Sequence, residues 1–253
     1  MNLLNLAILL FLYMNLWFIV SLIKKRSDLA DLAWGLGFVL LAWASLIASN
    51  QFNLRGLLIT TLVTIWGLRL ASHIYRRVSA KPEDARYAQW RIDWGSTFIF
   101  RSYLQIFILQ GIFLFVISQS FLHINLSLSQ PLTYLDLLGL VVWLTGFLFE
   151  SIADKQLTDF VRNPENKGHL MTKGLWHYSR HPNYFGEVTQ WWGIYLLSLS
   201  VGGVLTILSP LTITLLILFV SGVPLLEKKY TGRPDWEEYK SKTSVFLPLP
   251  PRS

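Results

Sequence analysis

A chain of 253 residues that is 53% hydrophobic, only 15% charged and carries 11 Trp is too apolar for an ordinary soluble domain. It contains no Cys, which excludes disulfides, thiolate zinc sites and cysteine nucleophiles together. The net charge of +7 is scattered between apolar runs with no reading module, which argues against a nucleic-acid partner and for the basic loops of a membrane protein.

Seven apolar runs are long enough to cross roughly 30 Å of hydrocarbon. The first, 3–23, lacks a basic leader and a small-residue cleavage site, so it reads as a retained span. The second, 30–49, starts with Asp31 and Trp34-Gly-Leu-Gly, whose small residues admit a close neighbour. Asp31 is either a site residue or simply an acid at a helix N-terminus. The third, 55–75, carries Trp66, Arg69 and His73 on one face, and Arg69 is long enough to snorkel. A polar segment over 76–102 leads to the fourth run, 103–123, and a nearly uncharged connection, 124–131, to the fifth, 132–152. Glu150 and Asp154 stand four apart at its end, a spacing suited to a divalent cation, to ribose hydroxyls or to pairing with a loop Arg. A second long polar segment, 153–183, precedes 184–200, which is short and contains Glu187, and 203–223 completes the set.

The expected fold is all-α: an integral membrane bundle of about seven transmembrane helices forming a single membrane domain over 1–253. All of the 22 basic residues except Arg55 and Arg69 fall in segments that alternate crossing places on one side. Because Lys and Arg collect on the cytoplasmic side, the N-terminus is expected outside and the C-terminus in the cytoplasm. The long inner segments, 76–102 and 153–183, are expected to be ordered loops that carry function.

The densest chemistry lies in Gly174-Leu-Trp-His-Tyr-Ser-Arg-His-Pro-Asn-Tyr-Phe-Gly-Glu187. Pro182 turns His181 away from helical geometry, so a helix should begin near Asn183. His177, Tyr178, Arg180 and His181 then stand before its N-terminus, where free N–H groups and the dipole favour an anion. Asn183 and Glu187 share a face within the helix, and Arg180 or Arg69 is the expected partner of Glu187. His177 and His181 have a metal-like spacing, but Pro182 breaks the helix they would need, and no metal site is expected. Neither a Gly-x-Gly-x-x-Gly turn nor a phosphate-binding Gly-Lys-Ser/Thr loop occurs, so side chains on helices and loops must hold any nucleotide.

Arg180-His-Pro-Asn-Tyr-x-Gly-Glu187, with Leu226-Glu-Lys-Lys and Tyr239-x-x-x-Thr243-x-x-Phe246-x-Pro248, resembles the steroid 5-alpha-reductase-like membrane proteins. The likeness is greatest to their bacterial branch, which also shows Asp31-x-x-Trp34-Gly, Trp66-Gly-x-Arg69 and Asp84-x-Arg86-Tyr87. The resemblance implies a seven-helix bundle open to the cytoplasm, NADPH held by the C-terminal part (132–253), a substrate side in 1–123, and hydride transfer to a carbon–carbon double bond. It implies that Asp154 is the family's acidic residue at the end of the fifth helix, that Asn183, Tyr184 and Glu187 line the nicotinamide and ribose, that Tyr178 and Arg180 lie in the loop that approaches the phosphates, and that Tyr239 is the tail tyrosine; His181, by its place before the helix, is a further cofactor-binding candidate. The acid motif of the steroid reductases, of Gln-Glu-Leu-Pro type, is missing. The catalytic group is expected among Asp31, Tyr75, Tyr103 and Glu187, and an unsaturated lipid or isoprenoid fits better than a 3-oxo-steroid.

Two other readings compete. Isoprenylcysteine and phospholipid methyltransferases also show an Arg-His-Pro-x-Tyr turn and an acidic tail; Arg180 to Tyr184, Glu227 and Glu237-Glu238 would then serve S-adenosylmethionine. A transporter or scaffold would instead place polar groups near the membrane midplane. The expected partners are the lipid bilayer and a lipid-soluble small molecule, in a bacterial inner membrane or, for a eukaryotic source, the endoplasmic reticulum. Nothing in the sequence sets an oligomeric state.

Overall fold

The computed structural model describes residues 2–49 and 53–252, whose regular secondary structure is all helical, with no strand among the described residues. The helices are α1 (Leu3–Lys24), α2 (Leu29–Ala48), α3 (Leu54–Ala80), α4 (Ala85–Trp94), α5 (Phe98–Arg101), α6 (Leu109–Leu126), α7 (Tyr134–Arg162), α8 (Pro182–Leu199), α9 (Leu208–Leu215), α10 (Val223–Glu227) and α11 (Pro234–Lys242). π-Helical turns over Ser102–Ile108 join α5 to α6, and others over Leu216–Val220 extend α9.

Among the described residues six helical stretches are long and apolar enough to cross a membrane: α1, α2, α3, Ala85–Leu126, α7 and Val204–Tyr230. Large apolar side chains stay exposed along them, as on α1 at Leu4, Ile8, Leu12 and Leu16, where one stripe faces outward as lipid requires. The run expected over 184–200 does form a helix, α8, but Asn183, Glu187, Thr189 and Gln190 dilute its apolar content, and it is not among the six. The two long polar segments, 76–102 and 153–183, differ from expectation. Much of 76–102 is helical, because α3 continues to Ala80 and α4 follows, and α7 runs on to Arg162. Charged and aromatic residues had hidden helical periodicity behind polar composition.

The chain divides into two compact units. Unit 1 comprises Met1–Leu132 with Val201–Leu208. Its centre is Phe38, fully buried and edge-on to Trp34 and Trp66 at 5.2 and 5.4 Å. Buried Asn125 of α6 donates to the Ala42 carbonyl and to the hydroxyls of Ser45 and Thr60, tying α2, α3 and α6 by groups that would otherwise be costly in an apolar interior. Arg55, one of the two basic residues outside the basic segments, lies in the first turn of α3, buried, with its guanidinium on the carbonyls of Gln130 and Pro131.

Unit 2 comprises Thr133–Ser200 and Ser209–Ser253. Thr133 and Asp136 form a capping box at the start of α7. From there α7 and α8 run antiparallel with their backbones almost touching. A Cβ on Gly139 would come within 2.8 Å of the Gly193 carbonyl, and one on Gly146 within 2.5 Å of the Gly186 carbonyl. The converse approaches are 2.7 Å from Gly193 to the Gly139 carbonyl and 2.6 Å from Gly186 to the Gly146 carbonyl. Each helix thus offers two glycines seven residues apart, and the pairs face each other. Only hydrogen in place of a side chain allows this approach.

Because the neighbouring atoms are backbone and cannot swing aside, Gly146→Ala should lower stability by about 1–3 kcal/mol, read as reduced denaturant or thermal resistance in detergent, whereas Leu148→Ala on the exposed face should not. The absence of Cys also allows single-cysteine topology mapping. Lys242→Cys should label only from the cytoplasmic side and Ser129→Cys only from outside; the reverse pattern would overturn the orientation drawn from the basic residues.

Candidate functional site

In unit 2 the chemistry gathers where α7 ends and α8 begins. The α8 helix opens at Pro182, with His181 as its N-cap residue at φ −139° and ψ 59°. That conformation follows from the proline, which removes one helical donor and disfavours helical geometry in the residue before it. Asn183 Nδ2 donates to Asp154 Oδ1 at 3.1 Å, linking the first turn of α8 to the last part of α7. One step deeper, Gln190 Nε2 donates to Glu150 Oε2 at 2.6 Å and to the Gly186 carbonyl at 3.3 Å. Glu150 and Gln190 are both buried, at 3% and 1% exposure, and the amide hydrogen bond supports a carboxyl placed in apolar surroundings. The Glu150 and Asp154 carboxyls, read as a pair, therefore have different partners. Glu187 and Tyr184 are half-buried on α8.

Arg180 and His181 have different neighbours from those expected. The Arg180 guanidinium is buried and faces the C-terminal tail: Nε meets Glu227 Oε1 at 2.9 Å, and Nη1 donates to the carbonyls of Lys240 and Thr243 at 3.0 and 2.8 Å. His181 Nε2 reaches the same Glu227 oxygen at 3.0 Å, and its ring stacks on Tyr184. Arg180 thus braces the tail and is the partner of Glu227. Tyr239 is likewise turned inward, its hydroxyl donating to the Trp176 carbonyl. Burial pushes the Tyr239 phenol up, the Arg180 charge only partly opposing it, so Tyr239 remains a neutral donor. Tyr178, in contrast, is 45% exposed, with His177 beside it edge-on. The tail follows this segment closely: Arg180 N–H donates to the Ser244 carbonyl, Ser179 Oγ to that of Phe246, and Leu249 N–H to that of Tyr178.

In unit 1 the Asp31 and Asp84-x-Arg86-Tyr87 motifs meet, joined by Arg77 of α3. Asp31 Oδ1 accepts from the Tyr87 hydroxyl at 2.6 Å, and Oδ2 accepts from Arg77 at 2.9 Å and Arg86 at 3.4 Å. Beside them Asp28 is paired with Arg26 and accepts the Asp84 N–H, while Glu83 holds Arg91 and the Ser27 N–H. Asp31 is accordingly surrounded by donors, and one of them is the hydroxyl of Tyr87, which was quoted in a motif but not among the candidate site residues. Tyr103 is elsewhere in the unit, donating to Asn15 at 3.1 Å, and Tyr75 is exposed. No group of three or more His, Asp or Glu suited to a metal ion occurs among the described residues.

The model of the family described as "Protein of unknown function (DUF1295)" matches residues 17–243. The chain is similar to 3-oxo-5-alpha-steroid 4-dehydrogenase 1 of Homo sapiens, 40% identical over 68 residues, which is 26% of each chain. It is 36% identical over 85 residues to the Bos taurus protein of that name, covering 30% of this chain and 33% of the relative. The Macaca fascicularis protein is 38% identical over 68 residues, again 26% of each. The matches therefore span about a quarter to a third of the length of these curated relatives. No solved structure matches.

Burial alone would raise the Asp84 carboxyl, but hydrogen bonds from the Arg86 side chain and backbone, with the charges of Arg86 and Arg77, hold it below the usual carboxylate range. A carboxyl depressed in the folded state adds stability above its unfolded pKa and loses that contribution as pH falls through the folded value. Thermal resistance should thus fall more steeply below about pH 4 in the wild type than in Asp84→Asn; parallel acid profiles would contradict the assignment.

Proposed function

The chain belongs to the family described as "Protein of unknown function (DUF1295)" and is steroid 5-alpha-reductase-like, and from that membership we propose a membrane-embedded reductase that uses NADPH to saturate a carbon–carbon double bond of a lipid-soluble substrate. The shared name of the relatives, 3-oxo-5-alpha-steroid 4-dehydrogenase 1, supports an oxidoreductase and a steroid-like substrate class. The six apolar helices support a substrate that arrives from the bilayer, such as a steroid, an isoprenoid or an unsaturated lipid. The resembled branch supports placement in a bacterial inner membrane with the basic segments in the cytoplasm.

The observation that carries the cofactor assignment is the Asp154–Asn183 bond at the opening of α8. It spends one amide hydrogen of Asn183 and leaves the amide oxygen as an acceptor for a carboxamide N–H. The Asp154 carboxylate suits ribose hydroxyls, and Glu187 and Tyr184 continue the polar face along α8. Exposed Lys173, His177 and Tyr178, on the segment before the helix, suit the phosphates and the flat rings of a nucleotide. NADPH, when bound, supplies the hydride. The part of the protein is to orient the nicotinamide and to exclude water with apolar walls. Arg180, His181 and Tyr239 act on this arrangement through the tail.

S-adenosylmethionine is the poorer fit, because the acids that a sulfonium would need already have cationic partners. Glu227 holds Arg180, Glu237 lies 3.7 Å from Lys240, and Glu238 lies 2.8 Å from Lys242.

Purified protein in mild detergent should consume NADPH only when a lipid with an activated double bond is supplied, and deuterium from labelled NADPH should appear in the product. Asp154→Ala and Asn183→Ala should each lower kcat/KM by roughly tenfold or more. Unlabelled product, or full turnover in both variants, would overturn the proposal.

A further inference from the structure

Glu227 lies more than forty positions from the Arg180-His-Pro turn and on a different helix, yet it decides how that turn is held. It is the last residue of α10, and its carboxylate meets two consecutive residues at once. Arg180 approaches Oε1 through Nε at 2.9 Å and Oε2 through Nη2 at 3.5 Å, and His181 Nε2 approaches Oε1 at 3.0 Å. The Arg180 and His181 side chains are only 9% and 5% exposed, so neither can exchange Glu227 for water. Removal of the anion would leave a buried guanidinium with no opposing charge, the costly half of a broken ion pair. Other tail acids cannot replace it, since Glu237 and Glu238 stand out in solvent beside their lysines.

The consequence reaches the helix start. Residues 180 and 181 immediately precede Pro182, the first residue of α8, so clamping both side chains sets the entry of the chain into the helix. The clamped His181 ring lies nearly parallel to Tyr184, with centroids 5.5 Å apart and 16° between planes, which places Tyr184 in turn. On the opposite side the Arg180 guanidinium lies 5.7 Å over the Trp236 ring and binds the carbonyls of Lys240 and Thr243, so the same acid also seats the tail.

We infer that Glu227 is a positioning residue of the cofactor end: through Arg180 and His181 it fixes the first turn of α8, and so the placement of Asn183 and Tyr184. This inference rests on the NADPH reading above. The test is NADPH binding, followed by fluorescence of the reduced nicotinamide, for the wild type, Glu227→Gln and Glu227→Asp, with hydrogen exchange of residues 178–186 measured on the same samples without cofactor. Glu227→Gln should raise the NADPH Kd by roughly tenfold or more, Glu227→Asp should recover part of the loss, and exchange over 178–186 should quicken while α1 to α3 stay unchanged. Wild-type affinity and wild-type exchange in Glu227→Gln would overturn the inference and leave the NADPH reading intact. Failure of the wild type to bind NADPH would sink that reading, and exchange alone would then decide whether Glu227 holds the turn. If Glu227→Gln does not fold, Glu227→Asp carries the test, and unaltered affinity in it would overturn the inference.

Discussion

Backbone contact between α7 and α8 is the constraint on which the C-terminal unit depends. Gly139 opposes Gly193 and Gly146 opposes Gly186, so the two helices meet without side chains between them. Helices that close leave no freedom in register. Once the glycine pairs engage, Glu150 must face Gln190 and Asp154 must face Asn183, and both hydrogen bonds follow from that register. The seam therefore does more than join two helices: it brings polar residues that are 29 and 40 positions apart in sequence to bonding distance within an apolar unit.

Two half-buried carboxylates are managed in the same way. In the C-terminal unit one carboxylate, Glu227, serves Arg180 and His181. In the N-terminal unit Asp31 accepts from Tyr87, Arg77 and Arg86, drawing α2, α3 and α4 together at one end of the helices. Removing such groups from water is expensive, and each of these carboxylates recovers the cost through several donors. A cluster of this kind gives a rigid frame, which suits a site whose chemistry depends on orientation.

Much of this was legible in the sequence, and the exceptions have physical reasons. Long apolar runs disclosed the membrane helices, and Pro182 disclosed the start of α8, because these signals are local. The α4 helix was hidden because its Arg, Trp and Tyr residues look polar and irregular until the partners of Tyr87 and Arg91 are known. Arg180 read as a phosphate ligand because sequence shows a cation before a helix but not the acid on α10 that binds it. The glycine seam had a visible signal, two pairs spaced by seven residues, yet only the antiparallel packing of α7 against α8 shows that they face each other. The Asp154–Asn183 bond joined two residues already singled out, whereas Gln190 became informative only through its contact with Glu150.

The most direct measurement is equilibrium binding of NADPH and S-adenosylmethionine, side by side, to the wild-type protein purified in mild detergent. The arrangement of Asp154 and Asn183, with the tail acids paired to cations, predicts saturable NADPH binding that excess S-adenosylmethionine does not displace. Preferential binding of S-adenosylmethionine would contradict it and reassign the same helix start to a methyl donor.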